Sequence, residues 1–196
     1  MPAKAPSVVV ALDSTVMSPT FAKGSVLVGR FGSECARWDV VGFRYYLTED
    51  EYHLMAGWNG VAPDETPPYQ QVQKIIGPPQ IHLIGRVIAL GGETLELKAD
   101  GVYIDGQKIK PPRTLSGLFT GFGRAKEYAF GSGALIVPDG TIFVVKDNLE
   151  AVMDSRRFGP IQVGQIMGKV ITTTTLPQLG SAVRADIHEF HPSLAN

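Results

Sequence analysis

Hydrophobic residues along this chain fall into short runs, rich in β-branched and aromatic side chains, that glycine, proline and serine interrupt. Such runs predict β-strands rather than helices. The run at residues 81–90 is apolar almost throughout, which predicts a central strand covered on both faces. The other predicted strands lie at residues 7–12, 25–31, 38–46, 94–98, 102–104, 134–137, 141–145 and 165–172.

Helical signals are few. Thr48 and Glu51 fit a capping box, and Gly57 is a possible stop, so one or two helical turns are predicted between them. Prolines interrupt residues 58–80, which predicts a surface excursion without regular structure. Too few helical segments remain for βαβ units. The segment order therefore predicts an all-β fold, a mainly antiparallel barrel or layered sheet with minor helical segments.

The 196 residues suit one domain, predicted at residues 7–175. Within it, residues 48–80 are predicted to be an insertion and residues 107–133 a small lobe or loop. Residues 176–196 are predicted to be a tail. Apolar residues recur in this tail at mixed three- and four-residue spacing, which favours a docking element for another chain. These residues are Leu176, Leu179, Val183, Ile187 and Phe190.

Composition narrows the function classes. The apolar fraction is 44% and the charged fraction 19%, which is typical of a globular chain. A net charge of −1 gives no strong signal for nucleic acid. The single cysteine, Cys35, excludes an internal disulfide, and we expect no cofactor and no metal. No signal peptide or membrane-spanning segment is visible, so we expect a soluble protein of the cytoplasm or an organelle matrix.

Three segments, in order, resemble the type I signal peptidases, the bacterial leader peptidases and their mitochondrial inner-membrane protease relatives. Residues 14–25 (STVMSPTFAKGS) resemble the family's Ser-Met-x-Pro-Thr-Leu segment. Residues 86–93 and 102–106 (RVIALGGE, VYIDG) are similar to its Lys-Arg-Val-x-Gly-x-x-Gly-Asp and Tyr-Ile-Asn-Gly. Residues 137–148 and 154–159 (VPDGTIFVVKDN, DSRRFG) resemble its Val-Pro-x-Gly-x-x-Phe-Val-x-Gly-Asp-Asn and Asp-Ser-Arg-x-x-Gly.

The resemblance implies a serine endopeptidase in which a lysine, kept neutral by burial, removes the proton of a serine nucleophile. In this sequence the serine position is Val16 and the lysine position is Gly85. Neither residue can hold or move a proton. The resemblance therefore predicts a degenerate homologue without the Ser/Lys dyad, with no catalytic residue at the family's positions.

Other matching positions are kept. Arg86, Asp147, Asp154 and Arg156 match the ion-pair network that the family carries beside its site. The resemblance also implies a groove that accepts an extended chain as an added strand. Its apolar positions here are Leu12, Met17, Phe21, Leu83 and Ile84.

Three residues leave catalysis open as an alternative. Ser14 matches a position that helps bind the oxyanion, and is either a relic or a turn-capping serine. Ser18 is either a displaced nucleophile or an ordinary polar loop residue. Lys146 stands where the family has glycine. It is either a spatial replacement for the missing lysine, a compensating change of volume in a packed pocket, or a solvated lysine.

Two main hypotheses follow. The first is a peptide-binding or structural subunit of an assembly, with polypeptide or protein partners and no proteolytic activity. The second is an active serine endopeptidase that uses Ser14 or Ser18 with Lys146. A self-cleaving repressor-type domain is a third reading, and the segment at residues 154–156 counts against it.

Overall fold

The structure is a computed structural model, which describes residues 7–11, 14–32, 34–122, 133–151, 153–174 and 187–189. Strands dominate it, as the sequence predicts. They are β1 (Ser7–Ala11), β2 (Val26–Phe31), β3 (Val40–Tyr46), β4 (Gln80–Leu90), β5 (Thr94–Lys98), β6 (Gly101–Ile104), β7 (Gln107–Lys108), β8 (Leu135–Ile136), β9 (Thr141–Val145), β10 (Ile161–Gln162), β11 (Ile166–Thr174) and β12 (Ile187–Glu189).

Two sheets organise these strands. The larger has the order β10-β9-β4-β3-β11-β2-β1-β12, and the smaller has the order β7-β6-β5-β8. Neighbouring strands in both sheets are antiparallel, except for β12, which pairs in parallel with β1. The predicted fold class, mainly antiparallel β-structure with minor helices, is confirmed.

The strand β4 connects the sheets in sequence and carries the centre of the core. Ile84 to Ala89 are buried, whereas the first four residues of β4 are exposed or only partly buried. The prediction of a strand covered on both faces therefore holds only for the second half. The reason lies in the pairing: β3 pairs with β4 from Gln80 onward, but β9 pairs with it only from Arg86 onward.

Three apolar clusters fill the interior. One lies between the sheets and includes Ile88, Phe119 and Phe143. A second packs on β3, β4 and β9 around Phe43 and Val144. The third consists of Met17, Leu27, Val40 and Ile84, with Val16, Phe21 and Val170 packed against it. This third cluster joins the segment after β1 to the middle of β4.

Helix α1 (Glu49–Trp58) begins at the predicted capping box. The Thr48 hydroxyl accepts from the Glu51 N–H, and the Glu51 carboxylate accepts from the Thr48 N–H. The predicted stop at Gly57 is wrong by one residue, because the helix continues to Trp58 and Asn59 caps it.

The prediction that residues 58–80 lack regular structure is wrong in part, because helix α2 (Tyr69–Ile76) lies there. Proline is compatible with a helix start, since its fixed φ suits the first turn and the missing N–H would have no partner there. The Tyr69 hydroxyl donates to the Leu47 carbonyl at 2.9 Å, which anchors α2 to the end of β3. The third helix, α3 (Ser155–Phe158), is a single turn capped by Asp154.

The tail prediction falls mostly outside the described residues. Of its five apolar positions, only Ile187 is described, in β12, where it pairs with Val9 of β1. The described residues include no helix with the length and apolar character needed to cross a bilayer.

Candidate functional site

The three segments singled out in the sequence meet at one place. Val16, after β1, packs against the cluster that contains Ile84 of β4. The Asn148 N–H, just beyond β9, donates to the Val16 carbonyl at 3.1 Å. The Asn148 side-chain amide donates to the Thr15 carbonyl at 3.3 Å. Residue 16 therefore packs against the cluster that contains Ile84, the residue before Gly85.

The two positions that the resemblance assigns to a nucleophile and a base are apolar or empty here. Val16 is partly buried among hydrocarbon side chains. A Cβ atom added at Gly85 would lie 3.3 Å from Val144 Cβ and 3.4 Å from the Val145 carbonyl oxygen. The space where a side chain would begin at Gly85 is thus bounded by β9. A lysine at this position would require Val144 to shift.

Lys146 brings an amine to this same region from the residue that directly follows β9. The register between β4 and β9 ends with Arg86 opposite Val145, so Lys146 and Gly85 each lie one residue beyond the last pair. The Lys146 side chain is buried, with a residue exposure of 2%, and its Nζ donates to the carbonyl oxygen of Ile84. The backbone N–H of Lys146 donates to Asp154 Oδ2 at 2.8 Å.

Burial changes the acid–base character of Lys146. Desolvation disfavours the charged form and lowers the pKa of the amine from 10.5 to about 8. The Asp154 carboxylate opposes this shift and raises the pKa, while the Arg156 guanidinium lowers it further. The amine consequently titrates near physiological pH, which suits either a proton-transfer group or a cation that a ligand can stabilise.

The serines proposed as alternative nucleophiles are not bonded to this amine. Ser14 and Ser18 are both partly buried, and Ser18 lies in a turn in which its N–H donates to the Thr15 carbonyl at 3.0 Å. Among the described residues, the hydrogen bond that Lys146 Nζ makes goes to Ile84 and not to either hydroxyl. The structure therefore places a candidate base in the region without a described hydrogen bond to a candidate nucleophile.

The four charged residues beside the site form two pairs. Arg86 donates to Asp147 through Nε at 2.8 Å and through Nη2 at 2.6 Å, and its Nη1 donates to the Trp38 carbonyl at 2.7 Å. Arg156 donates through Nε and Nη2 to Asp154, and also to the carbonyls of Leu149 and Ala151.

The backbone from Lys146 to Asp147 links these two pairs. Both carboxylate side chains have no exposed surface, so each buried negative charge is matched by a guanidinium and by further hydrogen bonds. The pairs hold the end of β9, and with it Lys146, in a fixed place beside β4.

Of the five apolar residues predicted to line a peptide groove, three lie together at the third cluster: Met17, Phe21 and Ile84. Leu12 is outside the described residues. Met17 and Ile84 belong to the third cluster, and Met17 has no exposed surface. Leu83 packs with the second cluster, on the opposite face of β4, because successive strand residues point to opposite faces. Phe21 is partly buried against Met17's cluster.

The sequence did not predict one group of the site, the backbone carbonyl of Ile84, which accepts a hydrogen bond from Lys146 Nζ. Side-chain motifs do not reveal such a group. A signal was nevertheless present: β4 is 11 residues long and β9 is 5, so part of β4 must extend past its neighbour.

Comparison with known proteins identifies the family. The family model described as "Signal peptidase, peptidase S26" matches residues 5–174. The chain belongs to this family. Signal peptidase I of Bacillus caldolyticus is 37% identical over 94 residues, covering 44% of this chain and 50% of the relative. Signal peptidase I V of Bacillus subtilis (strain 168) is 37% identical over 98 residues, covering 48% of this chain and 58% of the relative.

This signal peptidase homologue spans about half the length of those relatives. It is also similar to the crystal structure of a signal peptidase I from Enterococcus faecalis V583, with a TM-score of 0.42 and 23% sequence identity. That similarity covers 71% of this chain and 97% of the other. The predicted family resemblance is confirmed by the family match.

Proposed function

We propose that this signal peptidase homologue binds an extended polypeptide without hydrolysing it, as a peptide-binding or structural subunit of an assembly. The observation that carries the proposal is the identity of the two dyad positions. Val16 offers an isopropyl group that packs against an apolar cluster, and Gly85 offers no side chain and lies against Val144 and Val145. A peptidase of the family type requires a nucleophile and a base at these positions.

Retention of the surrounding scaffold supports binding rather than loss of all function. The segment around Val16, the strand β4 and the end of β9 still converge. The Arg86–Asp147 pair joins β4 to the end of β9, and the Asn148 N–H donates to the Val16 carbonyl. The part of β4 before Arg86 extends beyond β9, and such a strand can pair with an extended ligand. Adding a strand needs only backbone groups, so it does not depend on the lost dyad.

The second candidate is an active serine endopeptidase with relocated groups. The position and the lowered pKa of Lys146 favour it, because an amine with a pKa of about 8 has a neutral fraction near pH 7 that can accept a proton, far larger than that of an ordinary lysine. Ser14 or Ser18 would then have to move into contact with Nζ when substrate binds.

Incubation with signal-peptide substrates, followed by mass spectrometry, tests both candidates. We expect no cleavage above the uncatalysed background, since losing the nucleophile and base of such an enzyme costs on the order of 10⁶ in rate. Binding of the same peptides should be measurable by fluorescence anisotropy. The variants Ser14→Ala, Ser18→Ala and Lys146→Met are the controls.

Cleavage that disappears in a serine variant and in Lys146→Met would establish the second candidate. Cleavage that persists in all three variants would point to a contaminating protease. Absence of both cleavage and peptide binding would contradict the peptide-binding proposal.

A further inference from the structure

The backbone pairing between β4 and β9 ends at Arg86, and the residues of β4 before it lie beyond β9. The Val87 N–H donates to the Asp39 carbonyl and the Val87 carbonyl accepts from the Trp38 N–H, so this residue points its backbone toward β3. Backbone direction alternates along a strand, which turns the N–H and carbonyl of Ile84 toward the side of β9. On the side of β9, the last paired residue of β4 is Arg86. Ile84 is the next residue of β4 that faces this side, and no residue of β9 pairs with it.

Lys146 fills the position that a further strand residue would take. Its Nζ donates to the Ile84 carbonyl, so an ammonium replaces the backbone N–H of a neighbouring strand. The Lys146 backbone cannot serve this role, because its own N–H is directed to Asp154. The side chain thus caps β4 at the point where the sheet ladder ends.

The hydrogen-bonding capacity of this ammonium is larger than the one bond described. An ammonium group can donate three hydrogen bonds. Within the described parts of the chain, Nζ donates to the Ile84 carbonyl and forms no ion pair. Burying a cation is unfavourable unless an anion offsets its charge, and the nearby Asp154 carboxylate is bonded to Arg156. A ligand carboxylate close to Nζ would stabilise the charged amine.

We propose that Lys146 is a recognition residue for a carboxylate carried by an extended polypeptide that pairs with β4. This inference rests on the proposed peptide-binding function and adds the chemistry of the ligand. The carboxylate comes either from the C-terminus of the peptide or from an acidic side chain, and both sources present the same acceptor to Nζ.

Competition for one carbonyl makes Lys146 selective. A strand added to β4 needs the Ile84 carbonyl as an acceptor for one of its own N–H groups. A neutral segment that took this carbonyl would leave the buried ammonium without its acceptor, which is unfavourable. A segment that brings a carboxylate replaces the lost acceptor with a stronger, charge-assisted one. Lys146 therefore disfavours neutral segments and favours acidic ones.

Fluorescence anisotropy with matched synthetic peptides tests the proposal. The probes are alanine- and leucine-rich peptides with an N-terminal fluorophore, ending in a free carboxylate or in an amide. A second pair, both amidated, carries one Asp or one Asn near the end. We expect the carboxylate member of at least one pair to bind about tenfold more tightly than its neutral partner. The pair that shows the difference identifies the source of the carboxylate.

Two variants of the full chain complete the experiment. Lys146→Met keeps a side chain similar in length to the aliphatic part of lysine but removes the amine. It should abolish the carboxylate preference. Lys74→Met removes an exposed lysine of α2 and should leave that preference unchanged. Equal binding of both members of each pair to the native protein would overturn the role of Lys146 while leaving peptide binding intact. A preference that survives Lys146→Met would overturn it as well.

The native protein provides a second readout that does not depend on a variant folding. Among the described residues, the charged groups beside Lys146 are those of the pairs Arg156–Asp154 and Arg86–Asp147. If Nζ is the recognition group, the carboxylate preference should fall as the pH rises from 8 to 10 and the amine loses its proton. A preference that stays constant over this range would contradict the proposal. Failure of every peptide to bind at any pH would instead contradict the proposed function itself.

Discussion

At the scale of single residues, the glycine and the lysine of the site lie on neighbouring segments. The resemblance assigns the family's lysine position to Gly85 on β4 and the family's glycine position to Lys146, directly after β9. The ladder between β4 and β9 ends at the pair Arg86–Val145, so both residues lie just beyond it. The amine at this site therefore comes from the segment after β9 and not from residue 85. The structure makes the amine a cap on the Ile84 carbonyl.

The pH dependence of stability should report this buried amine. In the unfolded chain the lysine pKa is near 10.5, and in the folded protein it is about 8. Between these values the unfolded state binds more protons, so stability rises with pH over this window. Below pH 8 both states are protonated, and the folded state carries the full cost of burying the charge.

Urea denaturation of the native protein and of Lys146→Met, at pH 7 and at pH 10, measures this effect. The native protein should gain about 2 to 3 kcal/mol relative to the variant between the two pH values. Subtracting the variant removes the contribution of other groups that titrate in this range. The same stability difference at both pH values would show that the amine is solvated in the folded state.

At the scale of elements, the packing of turns limits what the sequence alone could predict. Gly91 follows β4, and a Cβ atom there would lie 3.0 Å from the Pro138 carbonyl oxygen and 3.1 Å from Asp139 Cα. All these contacts are backbone atoms of the turn before β9. Gly57 lies inside α1, with nothing within 4 Å of the corresponding position. The two glycines look alike in the sequence and differ in the structure.

The same substitution should therefore have opposite effects at these two sites. Gly91→Ala should lower the free energy of unfolding by about 1 to 3 kcal/mol, because the turns beside β4 and β9 must separate. Gly57→Ala should raise it by about 0.5 to 1 kcal/mol, because alanine favours an exposed helical position. Thermal and urea denaturation of both variants measure the two changes. Destabilisation by Gly57→Ala would mean that the end of α1 is packed more tightly than the structure shows.

Most strands and helix α1 could be predicted from the sequence, because their signals lie within a few consecutive residues. Strand residues such as those of β9 are β-branched or aromatic, and the capping box of α1 is complete within four residues. Helix α2 was missed because the prolines before it suggested a break, whereas Tyr69 anchors it through a contact with Leu47. Such a contact joins residues distant in sequence and has no local signature.

The candidate site was predictable only in its residue types. The order of the motifs pointed to Val16, Gly85 and Lys146. The four residues predicted to form an ion network do form two ion pairs, Arg86–Asp147 and Arg156–Asp154. Among the predicted groove residues, Met17, Phe21 and Ile84 share the third cluster, whereas strand alternation sends Leu83 to the opposite face of β4. The Ile84 carbonyl could not be found from side chains, because the end of a strand ladder depends on the relative lengths and register of two strands.

At the scale of the whole molecule, β12 is the last strand of the large sheet and pairs with the edge of β1 that faces away from β2. The pairing is parallel and joins Val9 to Ile187, Val10 to His188 and Ala11 to Glu189. The sequence suggested the tail as a docking element for another chain. The described part of the tail instead pairs with the chain's own β1, so an incoming partner strand would first have to displace β12.

Removal of residues 176–196 should therefore expose the edge of β1 and promote self-association. An unpaired strand edge is a template for pairing with another chain, and β1 would offer such an edge next to β2. Sedimentation velocity across a concentration series should show a monomeric full-length chain and a truncated chain that forms dimers or larger species. Ile187→Pro is the matched control, because it keeps the tail but removes one N–H from β12, and it should associate to an intermediate extent. A truncated chain that stays monomeric at every concentration, yet loses proteins that co-purify with the full-length chain, would instead establish the tail as a docking element for a partner.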